Sequence, residues 1–285
     1  MSYRLPLRYS SSIAPRTAPR THPDDEPSPT DAFSRRRYDE MLGRLQDLQE
    51  MMFLEALVEQ LAFASRHSNE RPFVTLSYSQ SLDGSIAVSR STPCSLSCRK
   101  SLEMTHLVRS FHDALLVGIN TVLTDDPQLT VRYCEGEDPQ PVILDSALRF
   151  PEHAQLLRHL ERRPIILTTE KAPAEKLRRL ADKGARIFTI PEAGGRVDLA
   201  AAFRVLRELD IASVMVEGGA TVINEMLAQR RVDYCVLTIA PRIIGGVKAV
   251  ETLCQPQNAA PLSIADCRYQ TLDRDLIAYG SLSDG

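Results

Sequence analysis

The residues best suited to chemistry stand where short apolar runs stop. The run ending at Val216 is followed by Glu217-Gly218-Gly219-Ala220-Thr221-Val222-Ile223-Asn224. Two glycines at a strand-to-helix turn let the backbone approach a ligand closely, and the N–H groups and dipole of the helix start favour an anion such as a phosphate. The stretch is not a GxGxxG fingerprint and has no P-loop lysine, so a tight turn with a threonine cap accounts for it equally well. The run ending at Gly118 leads into Ile119-Asn120-Thr121-Val122-Leu123-Thr124-Asp125-Asp126-Pro127-Gln128-Leu129-Thr130-Val131-Arg132. There Asp125 can accept hydrogen bonds from ribose hydroxyls, and Arg132 can hold a phosphate through its planar fork. Adjacent aspartates before a proline also serve simply to cap a turn. The first run, Phe73 to Gln80, ends in Ser81-Leu82-Asp83-Gly84. Its small polar residues suit packing against a nicotinamide ring, while its Asp-Gly turn can be structural only. Cys94, Cys98, His106 and His112 raise the question of zinc. Their spacing fits no CxxC arrangement and no second cysteine pair follows, so no metal is expected.

These residues need a scaffold, and the pattern predicts one. Short Val-, Ile- and Leu-rich strands are expected at 73–79, 113–118, 141–145, 164–168, 185–190, 212–216, 233–240 and about 270–279, with helices at 98–110, 174–183, 198–209 and 220–229 between them. Such alternation implies an α/β domain with a mostly parallel sheet flanked by helices, occupying residues 71–285. In such sheets ligands bind outside the carboxyl ends of the strands, where each motif above falls. Before the domain, Tyr38, Met41, Leu42, Leu45, Leu48 and Met52, then Leu54, Leu57, Val58 and Leu61, recur at helical spacing. They predict one long or two shorter amphipathic helices over 34–66, within a helical extension of 31–70, that cover an apolar face of their own domain or serve dimerisation. Residues 1–30 carry six prolines and little to bury, which predicts a disordered tail. Its arginines and lack of acids before Pro23 faintly resemble an organelle transit peptide, against which the prolines argue.

Composition narrows the function classes. Thirty-four basic against 37 acidic residues give a net charge of -3, with no basic footprint for nucleic acid and no cationic face for a membrane. No apolar run approaches membrane-spanning length, and no secretory signal is evident. Six scattered cysteines in a chain this long read as reduced thiols of a cytoplasmic protein.

Taken together, PFVTLSYSQSLDGSIA, MTHLVRSFHDALLVGINTVLTDDPQLTVR, PVILDSALRFP, VMVEGGATVINEML and VDYCVLTIAPRIIGG, in that order, resemble the riboflavin-pathway pyrimidine reductase family over roughly 71–280. The resemblance implies a dihydrofolate reductase-like fold and NADPH-dependent reduction (NADH being the alternative) of a ribosylamino-pyrimidine 5′-phosphate to its ribitylamino form. It also implies a homodimer. By the same resemblance Ser79, Thr121, Asp125, Ser146, Gly218, Gly219, Ala220, Thr221, Val222 and Ile223 contact the dinucleotide. Arg109, Leu129, Arg132 and Glu217 contact the substrate, with the arginines near its phosphate and Glu217 nearest the reacting carbon.

The chain departs from the family in two places. Where bacterial bifunctional members carry Ser-x-Trp, it reads Pro93-Cys94-Ser95, which puts contacts from 90–96 in question. Nothing in 1–70 resembles the HAE or PCxxC of their zinc deaminase, so reduction alone is expected. The base of the substrate, diamino-pyrimidinone or amino-uracil, stays open. Two further readings are a same-fold reductase of a pterin-like or specialised metabolite, and a non-catalytic assembly relative. The intact Asp125, Arg132 and Glu217-Gly218-Gly219 argue against the last.

Overall fold

The computed structural model describes residues 29–66, 70–89, 92, 94–159, 161–251, 253 and 261–284. The tail expected over 1–30 therefore lies almost wholly outside the described residues, as do three positions of the 90–96 stretch. In chain order the strands are β1 (Phe73–Ser81), β2 (Ser85–Ala87), β3 (Ala114–Gly118), β4 (Gln140–Leu144), β5 (Ile165–Thr168), β6 (Arg186–Thr189), β7 (Glu192–Ala193), β8 (Arg196–Val197), β9 (Ser213–Gly218), β10 (Tyr234–Ala240), β11 (Val247–Lys248), β12 (Leu262–Leu272) and β13 (Asp275–Asp284). The helices are α1 (Pro29–Asp47), α2 (Glu55–Arg66), α3 (Arg99–Ser110), α4 (Ile119–Asp125), α5 (Ala174–Asp182), α6 (Leu199–Glu208) and α7 (Ala220–Ala228), with 3-10 segments at Gln49–Leu54 and Gln155–Arg158.

Nine strands form one sheet in the order β12-β13-β10-β1-β9-β3-β4-β5-β6. The seven from β10 to β6 are parallel, and the β12–β13 hairpin closes one edge antiparallel. Apolar side chains of β3 alternate between two cores, Leu115 and Val117 on one face and Ala114 and Leu116 on the other. A strand buried on both faces reads as an unbroken apolar run, as β3, β4 and β9 do. Helices α6 and α7 cover one face through Phe203, Leu206, Ile223 and Met226. The other is covered by α3 (Met104, Leu107, Val108) and by the helical segment before the sheet.

That segment is two helices around a 3-10 turn, and it begins at Pro29, earlier than the expected 34. Met41, Leu45, Met51, Leu54, Leu57, Val58 and Leu61 lie in the same core as Leu115, Met215 and Val236. Arg37 ties α1 to the head of β3 through Asp113 at 2.6 Å and the Phe111 carbonyl at 3.0 Å. Its apolar stripe is thus spent inside its own chain. Leu54→Ala should lower unfolding free energy by roughly 2–5 kcal/mol, the usual cost of a cavity at a fully buried leucine. A urea midpoint unchanged by this substitution would mean that 29–66 folds apart from the sheet.

One expected strand is corrected. The single strand placed at about 270–279 is the tip of a hairpin, because β12 and β13 pair from Leu262 to Asp284 around a two-residue turn. Asp273 occupies a left-handed conformation there (φ 53°), which Asp tolerates better than most residues, so no glycine marks the turn.

Candidate active site

The chain leaves β1 for β3, runs outward to β6, and returns to lay β9 between β1 and β3 before crossing to β10. Connections therefore part at the carboxyl ends of β1, β9 and β3, where an α/β sheet opens a crevice. A cavity of about 930 Å³ lies there. From the sequence-derived set it is bordered by Ser79, Arg109, Thr121, Asp125, Ser146, Glu217, Gly219, Ala220, Thr221, Val222 and Ile223. Three expected contacts do not border it. Gly218 sits in the turn behind Gly219, Leu129 is buried in the core at a left-handed φ of 55°, and Arg132 lies outside the cavity wall.

At the heart of the site is an ion pair that joins the last turn of α3 to the end of β9. Arg109 Nε donates to Glu217 Oε1 at 2.6 Å and Nη2 to Oε2 at 2.8 Å, a fork-to-fork pair. The Nη1 group donates to the Thr130 carbonyl at 2.8 Å. The two side chains are only 11% and 16% exposed, so neither charge has bulk water to fall back on. Burial works against the guanidinium charge, but attraction and hydrogen bonding by Glu217 outweigh it and hold the Arg109 pKa above its ordinary value.

His106 stands directly behind this pair. Its Nδ1 accepts from the Arg132 amide at 2.9 Å, which assigns the remaining ring proton to Nε2. Burial first, then the charges of Arg109, Arg132 and Arg99, push its pKa down to about 3. It is a neutral prop; of the three arginines around it Arg109 is paired with Glu217 and Arg99 with Glu103, whereas Arg132 is exposed on the rim. Arg99 lies 4.2 Å above the Tyr133 ring and Arg132 5.8 Å from it. His112 belongs elsewhere, buried between the Val108 carbonyl and the Thr75 hydroxyl at 2.7 Å each. Among the described residues no group of three or more side chains is placed to hold a metal.

The other wall starts at α7. Gly219 precedes the helix and no side chain caps it. Gly218 has a φ of 122°, a region that L side chains rarely adopt, and its peptide to Gly219 is cis. A Cβ on Gly118 would stand 2.8 Å from Val222 Cγ2, so glycine there lets α4 and α7 close together. Thr121 Oγ1 of α4 in turn lies 3.6 Å from where a Gly219 Cβ would be. Beyond them, Ser146 accepts from the Val197 amide at 3.1 Å, and the Ser79 hydroxyl meets that of Ser97 at 2.6 Å. Desolvation raises the pKa of Asp125.

Sequence reasoning missed several bordering residues. Asp145 is 1% exposed; its Oδ2 accepts from the Phe150 amide, while Oδ1 is buried without a hydrogen-bond partner among the described residues. Burial raises its pKa. It directly precedes Ser146, and an acid at a strand's carboxyl end was a readable signal. Arg196 and Val197 border the cavity from the β7–β8 hairpin, whose Gly194-Gly195 turn has both φ positive (57° and 82°). Gly-Gly between short runs is a hairpin signal that the strand pattern overlooked. Ile86, Ala87 and Val247 close a further side, and nothing local to them pointed to a ligand.

The chain is similar to known proteins in sequence and in fold. The RibD C-terminal domain family matches residues 72–278. The chain is 33% identical over 214 residues to the 2,5-diamino-6-ribosylamino-4(3H)-pyrimidinone 5′-phosphate reductase of Archaeoglobus fulgidus, covering 72% of this chain and 94% of that protein. It is 32% identical over 213 residues to the riboflavin biosynthesis protein RibD of Aquifex aeolicus, covering 74% of this chain and 58% of that one. The chain thus spans little more than half of the longer relative. In structure it superposes on Acinetobacter baumannii RibD with a TM-score of 0.66 at 24% identity, covering 80% of this chain and 64% of that one, which shows a shared fold. The family model covers well over half of the chain, and the chain belongs to the RibD C-terminal domain family, in which the matched relatives are named as a pyrimidinone phosphate reductase and a riboflavin biosynthesis protein.

Proposed function

We propose that the chain reduces a ribosylamino-pyrimidine 5′-phosphate to its ribitylamino form with NADPH. The observation that carries this reading is one cavity holding both an uncapped helix start and a buried Arg109–Glu217 pair. The first suits a dinucleotide phosphate, the second a polyhydroxylated sugar. The residues present fit a dinucleotide on two further counts. Asp145 Oδ1 is a buried acceptor in need of a donor, and a ribose hydroxyl or an amino group supplies one. The glycines at 118 and 219 keep side chains out of the space beside α7. Arg149, which donates to Asn120 Oδ1 at 2.7 Å, and Arg196, which pairs with Glu225, also border the cavity and are the cations within reach of the extra phosphate that separates NADPH from NADH.

When bound, the reduced nicotinamide would supply a hydride to C1′ of the ring-opened sugar, breaking the π bond of its C=N group, while the nitrogen takes a proton from solvent. The protein's part is orientation and exclusion of water, which suits a site without an acid–base dyad. Glu217, held in both oxygens by Arg109, presents a fixed acceptor to the sugar hydroxyls. Arg109 has three of its donors committed and acts mainly to hold that acceptor. The phosphate then falls to the cationic rim at Arg132. We take the diamino-pyrimidinone as the first substrate to test, since the relative matched over 94% of its length is named for it. Turnover of both pyrimidines, followed by loss of reduced-nicotinamide absorbance, decides between them. The reading includes a cytoplasmic homodimer, which sedimentation and localisation of the tagged chain would check.

The cofactor seat has a direct test in Gly219→Val. Gly219 has an ordinary φ of -73°, and a Cβ there meets Thr121 Oγ1 at an unstrained 3.6 Å, so the backbone accepts a residue with a Cβ. A branched side chain would nevertheless stand where the phosphate must approach. The dissociation constant for NADPH should rise at least about tenfold, with the melting temperature kept. Unchanged affinity in a folded variant would place the cofactor elsewhere.

A further inference from the structure

The Asp-Gly turn after β1 carries far more hydrogen bonding than a turn needs. The Asp83 carboxylate accepts from the hydroxyls of Ser81 (2.5 Å) and Ser85 (2.6 Å), from the amides of Ile244 and Gly245 (3.0 Å each), and from Lys248 Nζ (2.7 Å). Lys248 also donates to the Asp83 carbonyl at 2.5 Å and to Ser85 Oγ at 3.0 Å. The Gly246 amide donates to Ser85 Oγ and the Ala249 amide to the Gly84 carbonyl. A Cβ on Gly246 would fall 2.0 Å from the Ala87 carbonyl oxygen, so only glycine allows this approach. Residues 244–249 are thereby zipped along 83–87. Lys248 above all, then the two serines and the Ile244 amide, hold the Asp83 carboxyl well below the ordinary carboxylate range.

The same segment is tied at its other end to α7. Asn224 donates to the carbonyls of Ala249 and Ala220 at 2.8 Å each and accepts from the Glu251 amide at 3.2 Å. Ala220 is the first residue of α7 and borders the cavity. Residues 244–251 therefore form a strap with one end on the β1–β2 turn and the other on the helix whose start faces the ligand. Ile86, Ala87 and Val247, along the strap, border the cavity, whereas Asp83, Lys248 and Asn224 do not.

We infer that Asp83, Lys248 and Asn224 are positioning residues, a two-ended clasp that sets the distance between the β2–β11 wall and the start of α7 and so the fit of the dinucleotide between them. The inference rests on the cofactor seat proposed above. Neither end touches the ligand, so each acts only through the strap. This predicts a signature that independent structural damage would not leave. Once one end is released, releasing the other adds little, because the strap has already lost its tension between two anchors.

The test is NADPH binding by calorimetry, with melting temperature, on the wild type, Asp83→Asn, Asn224→Ala and the double variant. Asp83→Asn keeps the shape but turns an amide toward donors, and Asn224→Ala frees the helix end. Each single change should weaken NADPH binding by about tenfold, and the double by well under the hundredfold that independent effects would give. Lys248→Met, which leaves Asp83 its other four donors, should show a smaller loss of the same kind and serves if Asp83→Asn does not fold. A wild type that fails to bind NADPH would overturn the cofactor seat and the clasp with it. Wild-type binding with unchanged affinity in folded Asp83→Asn or Lys248→Met, or with fully multiplicative losses in the double variant, would overturn the clasp alone.

Discussion

Glu217→Gln should lower kcat/KM by about a hundredfold while leaving NADPH affinity within a few-fold of wild type. The substitution preserves size and one acceptor oxygen, so the packing at the end of β9 is kept. What it removes is the carboxylate that faces a guanidinium only 11% exposed. An arginine left without its partner in such a place costs several kcal/mol, commonly about 3–5 when the pair is fully buried. Part of that cost should appear as a lower melting temperature, and the kinetic effect must be separated from it. A hundredfold corresponds to about 2.7 kcal/mol of lost transition-state stabilisation, to be read from folded enzyme well below its melting temperature. Arg109→Gln tests the same pair from the other side. If Arg109 serves mainly to hold Glu217, the two single variants and the double variant should all lose similar activity, as residues acting as a unit do. A Glu217→Gln enzyme within threefold of wild type would remove Glu217 from the reaction and leave the pair as a structural tie between α3 and β9.

The pair also shows what the chain's letters could and could not convey. Arg109 and Glu217 stand 108 residues apart, and each was singled out by resemblance, not by any local pattern. Their contact depends on β9 entering the sheet between β1 and β3, and nothing in a run of apolar residues states which strands will be its neighbours. The strands themselves were legible because burial on both faces leaves continuous apolar runs, and the helices because α6 and α7 keep a clean apolar stripe. The glycine turn was legible as geometry: Gly218 stands where a φ of 122° favours glycine, and Gly118 where a Cβ would crowd Val222 of α7. The turn at Asp273 was not, because aspartate reaches the left-handed region without the glycine that usually signals it. Leu129 marks another limit. Its place in a family motif suggested a ligand contact, yet its side chain is 3% exposed and fills the core beneath the rim. A motif position held by packing and one held by ligand contact look alike in sequence. Asp83 is the converse, a turn residue whose five hydrogen bonds could not be foreseen, since four of their donors other than Ser81 depend on the fold or on the turn's own conformation.

Arg132→Ala should raise KM for the phosphorylated substrate by tenfold or more, with NADPH affinity little changed. Arg132 lies outside the cavity wall, and among the described residues its guanidinium donates to Thr130 Oγ1 at 3.2 Å, a contact that a dianion would readily displace. Its backbone is fixed all the same, since the amide is held by His106 at 2.9 Å. Arg109, Arg132 and Arg99 all depress the His106 pKa after burial has done so; Arg99 is paired with Glu103 at 2.7 Å and Asp138 accepts from the Val131 amide, which leaves Arg132 as the rim cation without a carboxylate partner among the described residues. Because Arg109 is locked onto Glu217, the rim must supply the phosphate's partner, and Arg132 offers the planar fork that suits it. The competing account is a solvent-exposed arginine that contributes no more than about 1 kcal/mol to stability. A loss of about 1.4 kcal/mol or more in substrate binding alone, the equivalent of tenfold, separates the two. Arg132→Lys should recover only part of the loss, since an ammonium keeps the charge without the fork. The dephosphorylated substrate is the decisive control. It should be poor with the wild type and no worse with Arg132→Ala, whereas equal losses on both substrates would show that Arg132 shapes the 130–132 backbone and binds no phosphate.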